Sequence, residues 1–376
     1  MGLELEKDLK MQIPHTTNLP VHHLVSVFSK TTNSYKYFWF LAILENIKND
    51  NNLISVDELV IEMICEVWYP VICFKLNLGK QDKLSDAISK IQSSFQCQKD
   101  IGKEDLRELL KSNQNNNFIK ELIDNLSRYV PMRFLTPWFS DNLQGIKDSK
   151  KDGLIKELSQ IHFNDGKYSI YRLSKDGSKV EINASWFYFL QKHLHLLLGY
   201  TYWHLINYLQ KNNPNVPNIT SKLHPSESRD LSVAKRFWDS YFSLSKNVFC
   251  IYSGKQLSID YYSIDHFLPW SFVGHDKLWN LIPTLKEVNS SKGDKLPADS
   301  YIEVFANLQY YAFHSLAAEY GANKSFMEDY SLLFNMSGSE IEMMPKNVFK
   351  NKIKSSIQPQ MQIAENMGFQ QNWLWK

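Results

Sequence analysis

Cysteine is scarce in this chain: Cys65, Cys73, Cys97 and Cys250 are the only four among 376 residues. No two of them form a C-x-x-C pair, and a disulfide framework needs more cysteine than this, so reduced, buried thiols are expected. Long apolar runs are also missing. The longest, Tyr37 to Leu44, is too short to span a bilayer. The charged opening MGLELEKDLK has no signal-peptide core, and Glu6 stands where a myristoylation pattern starting at Gly2 requires Ser or Thr. There is no excess of one charge either. A formal net charge of +2 excludes a protein that holds nucleic acid by its overall field, so any basic surface must be local. Together these absences point to a soluble, cytoplasmic protein with no membrane partner.

The chain is 43% apolar and 14% aromatic, which makes it a folded protein, and its length suggests two or three domains with sizeable cores. Residues 1–130 read as helical. Ser34 to Lys48 is a strongly apolar helix with Thr31, Thr32 and Asn33 as cap candidates. Ser55 starts a second, with Glu58 in capping-box spacing, and Pro70 ends or kinks it. Weaker helical periods cover Asp86 to Phe95, Lys103 to Lys111 and Asn117 to Tyr129. Pro131 and Pro137 suggest an extended apolar segment at MRFLTPWF. Asp176-Gly177 between alternating runs, Lys167 to Leu173 and Ser178 to Ile182, predicts a β-hairpin.

Trp186 to Lys211 reads as one long aromatic helix. Its histidines, His193, His195 and His204, lack i,i+4 spacing and an intervening carboxylate, so packing or surface roles are expected rather than metal binding. Residues 212–228 are a proline-rich linker candidate. Arg229 to Phe242 reads as an amphipathic helix, as do Tyr301 to Tyr320 and Ser325 to Phe334, and the tail is polar until Trp373 and Trp375. The expected fold class is mainly α with a small α+β part. The expected domains are a helical domain over 1–130, a hairpin plus long helix over 131–224, a chemistry-bearing domain over 225–300 and a helical region over 301–376.

The chemistry lies in one block, FCIYSGKQLSIDYYSIDHFLPWSFVGHDKLWNLIPTLKEVNSSKGDKLP. A β-rich run, Ser258 to Ile264, leads into Asp265-His266. A loop with Pro269, Gly274 and Asn280 follows. Thr284, with Glu287 three residues on, predicts an N-cap for a short helix that runs from Leu285 to Gly293. Asn289 falls mid-helix, where propensity disfavours it, so its side chain is expected to have another task. Taken alone, Asp265-His266 would suit a polar turn at a strand end, and Asn280 a plain loop asparagine.

Asp265-His266, Asn280 fifteen residues later and Asn289 twenty-four residues later resemble the HNH nuclease family with its ββα-metal site, in spacing similar to the HNH domain of RNA-guided CRISPR effector nucleases. The resemblance covers residues 247–298. It implies that His266 is the general base, that Asp265 and Asn289 supply oxygen ligands to one divalent cation, and that Asn280 braces the loop and holds the histidine. Mg²⁺ or Mn²⁺ suits such ligands better than zinc. Lys292 shares a helix face with Asn289 and could touch the phosphate; a solvated helix end is the alternative for it and for Lys295.

Many HNH proteins also carry a structural zinc on two C-x-x-C pairs. Here those positions read Cys250-Ile251-Tyr252-Ser253 and Leu285-Lys286-Glu287-Val288, so no structural zinc is expected, and Leu285 and Val288 should pack in its place. The implied function is metal-dependent cleavage of DNA, with RNA not excluded, in a bacterial defence or mobile-element setting. Near-neutral charge suggests a partner protein or guide. The alternative is a module of the same fold that binds nucleic acid or a partner with little cleavage; keeping Asp265, His266 and Asn289 together argues against it.

Overall fold

The apolar run around Tyr37–Leu44 folds, in a computed structural model, as the helix Tyr35–Lys48. Ten of its fourteen residues are buried, which makes it a core helix hydrophobic on all sides. The structure describes residues 13–14, 16, 18–164, 169–224, 230–245, 247–322 and 324–376. The opening decapeptide with Gly2 and Glu6, Lys167 at the hairpin's start and Arg229 at a helix start lie outside the described residues. Two compact units divide the chain, Met1–Pro214 and Asn215–Lys376. The 131–224 segment crosses that division, and the two segments after it fall in the second unit.

In the first unit, Tyr35–Lys48 packs against Val56–Trp68 and Leu194–Asn212. Its cap is Ser34, not the three residues before it. The Ser34 hydroxyl and amide both donate to Asp82 and leave the helix start uncapped by a side chain. The Ser55 capping box does not form either; Ser55 has extended backbone and makes no side-chain cap. Pro70 lies in a π-helical turn, Tyr69–Cys73, that continues the helix. Later helices are Leu84–Phe95, Lys103–Ser112, Asn117–Ser127 and Asp148–Ile161.

The MRFLTPWF segment is helical rather than extended. Pro131 and Pro137 sit in the first turns of Val130–Phe134 and Thr136–Phe139, where a missing N–H goes unnoticed. The hairpin forms from β2 (Tyr171–Leu173) and β3 (Lys179–Ile182), with Gly177 at positive φ in its turn. A strand far away in sequence, β1 (Leu53–Ser55), pairs with β3, so the sheet order is β1-β3-β2. The long aromatic helix is two, Ala184–Lys192 and Leu194–Asn212, parted at His193, although the hydrogen bonds from His193 N to Phe189 O and from Leu197 N to His193 O carry the ladder across.

The second unit builds a helical frame from Ser232–Leu244, Ser300–Tyr320 and Lys346–Asn366. Against it lies a two-stranded antiparallel ribbon, β4 (Ser263–His266) with β5 (Leu281–Thr284), followed by the helix Lys286–Lys292. The strand is shorter than the expected run from Ser258. The Lys346–Asn366 helix lies in the stretch read as a polar tail. Its buried seam is narrow, Phe349, Ile353, Ile357 and Ala364, and Pro359 lies inside it, so its period is faint in sequence. The described chain is thus mainly α with a small α+β part. No described helix is long and apolar enough to cross a membrane.

Candidate active site

The ribbon aligns Asp265 with Ile282 and His266 with Leu281. All of β5 is buried, so this register is enforced by the core. Behind the ribbon Phe267 stacks on Phe305 of the Ser300–Tyr320 helix, with centroids 4.0 Å apart. From the same helix, Gln309 donates to the carbonyls of Leu278 and Leu281. Asp329 takes Lys277 Nζ at 2.7 Å and Leu278 N at 2.9 Å. Gln309 of the frame and Asp329 of a further helix, Glu328–Phe334, therefore fix both ends of the segment that faces His266.

Asn280 is fully buried and closes a two-way clasp on one residue. Its Oδ1 accepts from Leu268 N at 2.8 Å and its Nδ2 donates to Leu268 O at 2.9 Å. Phe267 N also donates to Asn280 O at 2.8 Å. The backbone just after His266 is thereby tied to the start of β5, spanning the loop that includes Pro269 and Gly274.

His266 is buried, with Nε2 2.6 Å from Asp276 Oδ1. A carboxylate on Nε2 favours the tautomer with the proton there and leaves Nδ1 as the basic nitrogen. Asp276 was not singled out in the sequence; only its place ten residues on, in a loop the ribbon folds back, could have marked it. Nearby His275 is pushed down to about 4, first by burial and then by the charge of His266, so it stays neutral at neutral pH.

Asp265 is 2% exposed, and both of its oxygens are engaged. Oδ2 accepts from the Tyr252 hydroxyl at 2.8 Å; Oδ1 lies 3.1 Å from Lys292 Nζ. Burial, and then the charge of Asp265, hold the Tyr252 phenol well above its ordinary range, so it remains a donor. Tyr252 is itself wedged between Tyr301 and Trp373, with ring centroids 5.0 and 5.2 Å away. Trp373 arrives on the C-terminal tail, which pairs with the chain after the site helix through Trp373 N to Leu296 O and Ala298 N to Trp373 O. Neither Tyr252 nor Trp373 was read as a site residue.

Lys292 lies in the interior rather than at a solvated helix end. It is 0% exposed, and its ammonium also donates to His266 O at 2.6 Å. Lys295 stays at the helix end and donates to Ser291 O. Asn289 is half-buried; its Nδ2 donates to Ser263 Oγ at 2.9 Å and to Ile264 O at 3.1 Å, which ties the helix to β4. With the amide nitrogen turned to the strand, Oδ1 makes no hydrogen bond among the described residues.

The start of the site helix differs from expectation. Leu285, in extended backbone, is the N-cap, and no side chain caps it. Thr284 ends β5 instead, buried, with its hydroxyl 3.1 Å from Cys250 Sγ, so it cannot also reach the helix amides. At the two C-x-x-C positions, Cys250 meets the Thr284 hydroxyl, Val288 is buried and Leu285 is only half-buried against the same core.

Do these residues suit a divalent cation? Asp265 and Asn289 offer a carboxylate and an amide oxygen from adjacent elements, a hard-oxygen set that fits Mg²⁺ or Mn²⁺ completed by water and phosphate. Among the described residues no three His, Cys, Asp or Glu side chains gather as a metal cluster. Lys292 would share the Asp265 carboxylate with the cation.

No curated protein and no solved structure matches the chain. Residues 250–298, the segment that holds Cys250, the ribbon, the clasp and the site helix, match the model of the HNH endonuclease family, and they form an HNH-family domain.

Proposed function

We propose that this protein is a metal-dependent endonuclease that hydrolyses phosphodiester bonds in DNA, in a bacterial defence or mobile-element system. The observation that carries the reading is the His266–Asp276 pair, placed one residue from the buried carboxylate of Asp265. His266 Nδ1 takes a proton from a water as that water's oxygen bonds to phosphorus. The bond from phosphorus to the 3′ oxygen breaks, and that oxygen leaves with a proton drawn from solvent. Asp276 keeps the imidazole oriented and stabilises it once protonated. Asn280 holds the backbone beside the base. Asp265 and Asn289 would hold the cation, and Tyr252 and Lys292 fix the carboxylate. When bound, the cation supplies charge neutralisation at the phosphate and the departing oxygen.

Incubation of the purified full chain with supercoiled plasmid, in Mg²⁺, Mn²⁺ or EDTA and beside a His266→Ala control, tests the reading. Metal-dependent nicking that the variant lacks supports it. A second reading, a binding module without cleavage, is favoured by the Lys292–Asp265 ion pair, because the carboxylate is already neutralised by the protein. Plasmid that is retained but uncut in every metal would select that reading.

A further inference from the structure

The first unit contains a cleft of about 500 Å³ that plays no part in the chemistry above. Its walls come from the segment before the Tyr35–Lys48 helix and that helix's first turn, from the turn before Leu84, and from the stretch joining Asn117–Ser127 to Val130–Phe134. Five cationic side chains line it: Lys30, Lys36, Lys83, Arg128 and Arg133. No carboxylate does, among the described residues. For a chain of net charge +2, this is a local concentration of one sign.

The cations differ in how far they are already neutralised. Arg133 is tied to Asp148 at 2.9 Å and to Asp152, so its charge is largely offset. Lys30, Lys36, Lys83 and Arg128 form no ion pair among the described residues. Lys36 is half-buried, and burial first, then the charge of Arg133, hold it below the usual lysine range; the charge of an anion in the cleft would act in the opposite direction. Besides Asp148 and Asp152 on Arg133, two acids act on the wall residue Tyr35. Asp82 is buried and taken up by Ser34 and Leu84, and Asp86 acts on Tyr35 at longer range. The helix beginning at Tyr35 has no acid in its first turn and no side-chain cap; the Asp82 carboxylate, which accepts from the Ser34 amide, offsets its positive end.

Two tyrosines complete the walls. Tyr35 is half-buried, whereas Tyr129 is 53% exposed, with the Arg128 guanidinium 5.3 Å from its ring centre. An exposed ring beside unpaired cations is the combination that holds single-stranded nucleic acid: cations follow the phosphates and the ring stacks a base. The cavity is of small-molecule size, so it admits a nucleotide-sized piece of strand and not a duplex.

We propose that this cleft binds the backbone of a single nucleic-acid strand, with Tyr129 as the stacking platform for a base, and so makes the N-terminal unit a strand-holding module. The identity of the polyanion rests on the nuclease reading; the binding of a phosphate-bearing strand can be measured apart from it.

The test is fluorescence anisotropy on the full chain in EDTA, where cleavage does not intervene. Labelled single-stranded DNA and RNA are the probes, with ATP as a separate ligand and competitor. Lys83→Ala with Arg128→Ala should weaken strand binding about tenfold near physiological salt and reduce the log–log salt slope by about 1.4, at roughly 0.7 per phosphate contact on single strands. Tyr129→Leu should cost about fivefold or more and leave the slope unchanged. Lys175→Ala with Lys192→Ala, which do not line the cleft, should change neither. Equal binding by the first double variant and the unaltered chain would overturn the proposal. So would tight ATP binding with no strand binding, which would make this a nucleotide pocket. A plasmid left uncut in every metal sinks the nuclease reading instead and leaves the anisotropy result standing.

Discussion

The ammonium of Lys292 lies 3.1 Å from Oδ1 of Asp265, with both side chains almost entirely out of solvent. They are 27 residues apart. Such a pair adds little net stability when whole, because both charges lost their water, but removing one partner strands the other. Lys292→Ala should therefore destabilise the second unit by about 3–5 kcal/mol, whereas Lys295→Ala should stay within about 0.5 kcal/mol. Urea unfolding of both variants decides this; equal midpoints would place Lys292 at the surface.

His266→Ala should abolish cleavage and leave the circular dichroism spectrum unchanged. Asp276→Asn keeps the size of the side chain but loses the charge that holds Nε2–H. It should lower kcat by about 10- to 100-fold, the usual cost of losing a carboxylate that orients a histidine, with KM nearly unchanged. A wild-type rate in the Asp276 variant would mean that the imidazole needs no such partner.

Asp265→Ala and Asn289→Ala should each weaken binding of Mn²⁺, followed by titration calorimetry, with part of the lost activity returning at high Mn²⁺. Tyr252→Phe removes a single hydroxyl from the carboxylate's surroundings. It should cost about 1.5–3 kcal/mol of stability, the range for a hydrogen bond to a charged group, and reduce Mn²⁺ affinity less than Asp265→Ala does. Unchanged affinity in all three variants would assign them structural roles only.

Elemental analysis of the purified protein should find no stoichiometric zinc, and a zinc-selective chelator should leave Tm where it was. In place of a metal clip, Val288 is fully buried at the start of the site helix. Val288→Ala should cost about 2 kcal/mol, from the lost methyl groups and the gap they leave. Leu285→Ser should cost less, because Leu285 is only half-buried. One tightly bound zinc per chain would falsify this account.

Much of the site's local order was legible from short stretches of chain. A β-branched residue before Asp265-His266, a proline-broken loop and Gly293 after Lys292 indicate strand, loop and helix, and these elements form. The misreadings are local as well. Thr284 has the right spacing for a cap, yet its hydroxyl is used by Cys250, and Pro131 and Pro137 look like helix breakers until the helices are seen to begin at them. In both cases a residue has two admissible roles, and packing selects one.

What the sequence alone determined is the set of reactive groups and their intervals: Asp265 beside His266, then Asn280 and Asn289, together with helices rich in apolar residues, such as Tyr35–Lys48 and Ser300–Tyr320. These follow from near neighbours, because backbone hydrogen bonds and helical faces repeat within a few residues. What only the tertiary structure decided is which distant groups share a dry environment. Tyr252 and Lys292 on Asp265, Asp276 on His266, β1 beside β3, and Trp373 against Tyr252 are pairings of this kind. Their strength comes from desolvation, and desolvation belongs to the packed chain as a whole, so no single stretch of residues carries a sign of it.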